Sequence, residues 1–184
     1  SYFYRGIAYS YKQDYDRAIA DYNQAFRLDP NYAIAYYNRG LAYYYKKDYD
    51  RAIADYTQAI RLDPNYAAAY NNRGLAYDDK GDYDRAIADY TQAIRLDPNH
   101  VAAYYNRGVA YYMKKDYARA IADYTQVIRL DPNLAAAYYG RGNVYYTKDD
   151  YARAIADYEA ALKIDPNHAN AKKFLEISRQ LRGR

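Results

Sequence analysis

Five arginines, Arg5, Arg39, Arg73, Arg107 and Arg141, stand 34 residues apart, and each is followed sixteen residues later by an aspartate: Asp21, Asp55, Asp89, Asp123 and Asp157. Guanidinium groups in fixed register could read phosphates as a ladder, or could each neutralise a carboxylate. The matched aspartates favour five ion pairs. A second register, Asn38, Asn72 and Asn106, lies one residue before the arginines and stops at Tyr4 and Gly140. An amide offers both a donor and an acceptor, so it can hold an extended peptide backbone whatever that peptide's side chains; the alternative is that it bonds water or the adjacent helix. Catalytic chemistry finds little here. His100 and His168 follow "DPN" in turns without a carboxylate or thiol beside them, and no cysteine, glycine-rich phosphate loop or metal-ligand cluster occurs. No catalytic residue, metal or other cofactor is assigned, and the chain is not expected to be an enzyme. A net charge of +4 is mild and calls for no nucleic acid.

These residues are positioned by a repeat. "LDPN" begins at Leu28, Leu62, Leu96 and Leu130, and "IDPN" at Ile164; Gly6, Gly40, Gly74, Gly108 and Gly142 keep the same step. Within one copy, apolar residues recur at helical spacing from Ala33 to Lys46. Asp48 then suits an N-cap, and a second helix is expected from about Tyr49 to Arg61, stopped by Pro64. Gly40, Ala52 and Ala59 are small enough for a close helix approach. Arg51 and Asp55, four apart, are expected to pair on the solvated face of that second helix. One helix pair cannot hide its own apolar surface, so each copy must stack on the next.

A 34-residue helix-turn-helix carrying Tyr36, Gly40, Tyr43, Ala52, Tyr56, Ala59 and Pro64 resembles the tetratricopeptide repeat (TPR) family. Two departures are tyrosine where the family has tryptophan and phenylalanine, and Arg39 where it usually has leucine. The resemblance implies an all-α, right-handed α-solenoid, a superhelix of stacked antiparallel helix pairs. It divides the chain into copies at 1–32, 33–66, 67–100, 101–134 and 135–168, with a capping helix and tail at 169–184. It also implies that the first helices line a concave groove for a peptide or protein segment.

At 100° per residue, Tyr36, Gly40 and Tyr43 share the packed face, and Arg39 lies at its edge. The groove stripe is then Tyr37, Asn38, Leu41, Tyr44 and Tyr45 in the second copy. In the third copy it is Asn71, Asn72, Leu75, Asp78 and Asp79, and in the fourth Tyr105, Asn106, Val109, Tyr112 and Met113. Of the 31 tyrosines, those outside the packed positions and turns all fall on this stripe, with Tyr4, Tyr11, Tyr139 and Tyr146 completing it. A solvated face would carry lysine or glutamate, so the stripe reads as an aromatic binding surface; the alternative is that the rings close gaps between copies. Asp78 and Asp79 break the stripe, either to meet a basic group of the ligand or as plain surface variation. The expected function is a non-enzymatic scaffold that binds an extended peptide. The alternative is a structural or designed array that self-associates through an N-terminal end left uncapped at Ser1. No signal peptide, transmembrane segment or membrane partner is expected.

Overall fold

The computed structural model describes residues 1–183. The helices are α1 (Tyr2–Tyr11), α2 (Tyr15–Leu28), α3 (Ala33–Tyr45), α4 (Tyr49–Leu62), α5 (Ala67–Asp79), α6 (Tyr83–Leu96), α7 (Val101–Met113), α8 (Tyr117–Leu130), α9 (Ala135–Thr147), α10 (Tyr151–Ile164) and α11 (Ala169–Arg182). They fall into two compact units, residues 1–98 and 99–184. Within each unit a helix packs chiefly on its neighbours in sequence, and the first helices of successive pairs also touch. Among the described residues no helix is long and apolar enough to cross a membrane.

The boundaries follow from capping. The Asp48 carboxylate accepts the backbone N–H of Arg51, and Asp14, Asp82, Asp116 and Asp150 do the same in their own copies. At the other end of α4, Asp63 is extended and its carboxylate accepts the N–H of Asn65 at 3.0 Å, an Asx turn that leads into Pro64 and away from the helix. His100 and His168 also cap: each Nδ1 accepts an amide, from Ala103 and Ala171 respectively. That gives both histidines an architectural role that the spacing alone did not suggest.

Packing within a pair centres on a tyrosine of the second helix. Tyr22, Tyr56, Tyr90 and Tyr158 are fully buried, flanked by fully buried alanines such as Ala52, Ala59, Ala86 and Ala93. The ring lies against the glycine of the first helix. The charged residues are sorted around it. Arg51 pairs with Asp48 rather than with Asp55, as expected from the sequence, because Asp55 is already held by Arg39. The Arg51 guanidinium also lies over the Tyr43 ring at 4.7 Å, and Arg17, Arg85, Arg119 and Arg153 lie likewise over Tyr9, Tyr77, Tyr111 and Tyr145.

In the first unit, lysines tie one copy to the next. Lys46 pairs with Asp16, and Lys80 with Asp50.

Candidate functional site

The arginines sit at the edge of the packed face. Arg39 Nε and Nη2 donate to the two carboxylate oxygens of Asp55 at 2.7 and 2.6 Å, and the same two-pronged pairing joins Arg5–Asp21, Arg73–Asp89, Arg107–Asp123 and Arg141–Asp157. These groups are internal struts and leave no ladder for phosphates. The remaining nitrogen reaches back to the preceding copy: Arg39 Nη1 donates to Asn23, Arg73 to Thr57 and Arg141 to Thr125. In the first copy, the hydrogen bond from Arg5 holds the Asp21 carboxyl below its ordinary range.

The stripe of the first helices is partly spent on packing. In the first unit, Tyr37 is half-buried against Tyr56 and Tyr66, and its hydroxyl accepts from the Asn72 amide at 2.9 Å. Asn71 is buried and donates to Asn72 at 3.0 Å. It takes the place of Tyr37 in the next copy and is withdrawn from any surface contact, which corrects its assignment to the groove. Asn38 donates to the carbonyl of Ile34 in its own helix at 2.7 Å. One bond from the amide nitrogen of each of Asn38 and Asn72 is thus made within the protein. Leu41 and Leu75 are half-buried beside them.

In the second unit, Tyr105 packs on Tyr124, and Tyr112 packs on Tyr117 and bonds Thr147 at 3.1 Å. Asn106 and Val109 are half-buried on α7. At Gly140, where the asparagine register ends, a Cβ would meet the Tyr124 ring at 2.9 Å.

What stays open is a smaller set. Tyr4 is 70% exposed, Tyr11 86%, Tyr45 60% and Met113 51%, all on the stripe. In the first unit, Asn38, Leu41 and Tyr45 join Ile7, Ser10, Tyr11, Gln13, Tyr15, Tyr22 and Ala42 around an open cavity of about 430 Å³. The first-copy residues of this cavity lie outside the groove stripe assigned in copies two to four. The available signal was Ser10, which stands where Tyr44, Tyr112 and Tyr146 stand in other copies.

The third copy differs electrostatically. The Tyr44 hydroxyl donates to Asp79 Oδ2 at 2.6 Å, so that carboxylate already has a partner on the preceding copy. Asp78 has one buried carboxylate oxygen without a hydrogen-bond partner, as does the Tyr90 hydroxyl. Burial, with the Asp79 charge adding to it, pushes the Asp78 carboxyl up to about 6. The folded chain therefore holds this proton to higher pH than the unfolded chain does. The Asp78 contribution to stability is full below about pH 4 and is lost as the pH rises through about 6. Asp78→Asn should remove that loss. We expect it to be more stable than the parent at pH 7.5, by about 1 to 2 kcal/mol after allowance for partial exposure, and to match it at pH 4. Thermal melts of the two chains across that range provide the check.

Comparison with known proteins agrees with this geometry. Models of the tetratricopeptide repeat match residues 33–66 and 135–168, residues 71–135 and residues 6–47. A search of curated proteins finds no match. Among solved structures, "YrrB: a TPR protein with an unusual peptide-binding site" is 25% identical, with 94% of this chain and 89% of that one covered at a TM-score of 0.79. MamA is 27% identical over 90% of this chain and 96% of its own, with a TM-score of 0.83. The first TPR of Spaghetti (RPAP3), bound to an HSP90 peptide, is 30% identical over 64% of this chain and 94% of its own, with a TM-score of 0.63. The all-α fold of consecutive helix pairs is thus that of the TPR solenoids. With its 34-residue period, its glycine-on-tyrosine packing and these matches along residues 6–168, the chain belongs to the tetratricopeptide repeat family.

Proposed function

We propose that the chain is a non-catalytic interaction module that takes an extended peptide on the face of its first helices. The observation that carries this is the exposure of Tyr4, Tyr11 and Tyr45 on the first helices of the first unit, and of Met113 on a first helix of the second, where a solvated helix would carry charge. Two similar TPR structures support it, one described by its peptide-binding site and one bound to a peptide. Tyrosines suit the task because a rigid ring brings large apolar area and a polar tip at small entropic cost. In the first unit Asn38 and Asn72 are proposed to add main-chain bonds, with Asn72 exchanging its Tyr37 partner for the peptide, and in the second unit Asn106 is proposed to do so.

The test is calorimetric titration with a peptide selected from a random library. Tyr45→Ser should weaken binding about tenfold, equivalent to roughly 1.4 kcal/mol, with little change in melting temperature, since that ring is mostly solvated. Replacing Asn38, Asn72 and Asn106 together with alanine should weaken it by roughly 10-fold or more, at about 0.5 to 1.5 kcal/mol per amide. A library that enriches no peptide, or a peptide indifferent to Tyr45→Ser, would overturn the reading.

A further inference from the structure

The cavity beside Ser10 has a counterpart one repeat further on. A cavity of about 70 Å³ is lined by Leu41, Tyr44, Tyr45, Tyr56, Asn72 and Leu75, and the larger one, of about 430 Å³, is lined by the residues 34 positions earlier: Ile7, Ser10, Tyr11, Tyr22, Asn38 and Leu41. Five of these six pairs are the same residue or an aliphatic exchange. The sixth is Ser10 against Tyr44. The larger chamber thus lacks a phenol ring that the smaller one holds, and it extends further, to Gln13, Tyr15, Ala42 and Tyr45.

The ring's absence is also visible in its neighbours. Tyr44, Tyr112 and Tyr146 lie against the tyrosine that opens the following helix, with centroids 5.5 Å from Tyr49, 5.9 Å from Tyr117 and 5.8 Å from Tyr151. Ser10 offers Tyr15 no such ring, and Tyr15 stacks instead on Tyr45 at 5.5 Å and 15°. At the chamber wall the hydroxyls of Ser10 and Tyr22 lie 3.2 Å apart, and either can donate.

We propose that this chamber is the seat of an aromatic side chain, a tyrosine of the bound peptide, which supplies the ring that Ser10 lacks. The proposal rests on the peptide-binding reading above and names the residue that such a peptide must carry. The size and lining of the site are set by the fold itself, because the same walls accept a tyrosine from within the chain in the next copy. Tyr15 and Tyr45 provide ring faces, Ile7 and Leu41 an apolar edge, and the Ser10–Tyr22 pair a hydroxyl contact for the phenol tip. Apolar lining with a few convergent polar groups is the usual make-up of a small-ligand pocket.

The experiment uses the full chain and p-cresol as the probe, followed by amide chemical shifts in a two-dimensional NMR titration. Saturable shifts are expected at Ser10, Tyr11, Leu41 and Tyr45. Ser10→Tyr should fill the chamber, weaken p-cresol binding at least about tenfold and raise the melting temperature. Ser10→Ala, which keeps the space, should retain binding within about threefold. The proposal is overturned if no shift saturates, if Ser10→Tyr binds as the parent does, or if Ser10→Ala loses binding as fully as Ser10→Tyr. A selected peptide that binds Ser10→Tyr as tightly as the parent would overturn the chamber's role while leaving the peptide-binding face intact. Saturable p-cresol binding in a chain that selects no peptide would sink the peptide reading and, with it, the peptide as the source of the ring, leaving only an aromatic-binding chamber.

Discussion

Arg73→Ala should cost about 2 to 4 kcal/mol of stability, measured by denaturant unfolding, and Arg5→Ala clearly less. The difference lies in solvent access to the arginine. The Arg73 side chain is 18% exposed and that of Arg5 59%, although both partner aspartates are buried. Removing Arg73 strands the Asp89 carboxylate away from water and also deletes the bond to Thr57. Removing Arg5 leaves Asp21 where water can approach along the vacated side. A double-mutant cycle of Arg73→Ala with Asp89→Asn should show coupling, since neither group is comfortable without the other. Equal losses at the two arginines would mean that the pairs contribute through geometry alone and that burial has no part in their strength.

Gly74→Ala should be similarly damaging, at about 3 kcal/mol, because a Cβ there would stand 2.7 Å from the Tyr90 ring edge. Tyr90 is fully buried and has nowhere to move. The same exchange at Gly108 is gentler, since its Cβ would meet Tyr124 at 3.2 Å and a shift of a few tenths of an ångström relieves it. We expect that variant to lose about 1 kcal/mol. Thermal unfolding of the two variants side by side measures the contrast. It also tests whether the glycine is present for contact or for backbone freedom: both sites are mid-helix, so only the contact explanation makes them differ.

Much of this was legible in the sequence. The repeat length fixed the helix pairs, and the constant sixteen-residue offset from Arg to Asp named the buried ion pairs correctly. Helical angle placed Arg39 and Tyr43 on the packed side and Tyr45 on the open side. What angle cannot convey is reach. Tyr37 meets Asn72, Tyr44 meets Asp79 and Tyr112 meets Thr147, each pair 35 residues apart, because a phenol is long enough to cross from one first helix to the next. Residues assigned to the open stripe were thereby drawn into packing. Arg51 was mispaired for a related reason: Asp55 is within helical reach, but the Arg39 fork had claimed it. The Ser10 chamber was written in the sequence as one of two departures from a tyrosine register, the other being Asp78. It becomes informative only once the residues that line the equivalent cavity of the next copy are known.

The arginine fork has one more consequence, for how such a chain can change length. Arg39 and Arg73 each bond a residue sixteen positions ahead within their own copy and another sixteen positions behind in the preceding one. Arg39, Arg73 and Arg141 therefore look forward and backward over equal spans of near-identical text. Recombination that removes or adds one whole copy joins a forward-facing half to an equivalent backward-facing half and leaves no carboxylate stranded. A misaligned exchange, shifted by even one residue, changes the spacing from an arginine to the partner on the side of the join and breaks that bond. The polar joints thus act as a reading frame at the protein level, admitting insertions and deletions in whole units of 34 residues and penalising all others.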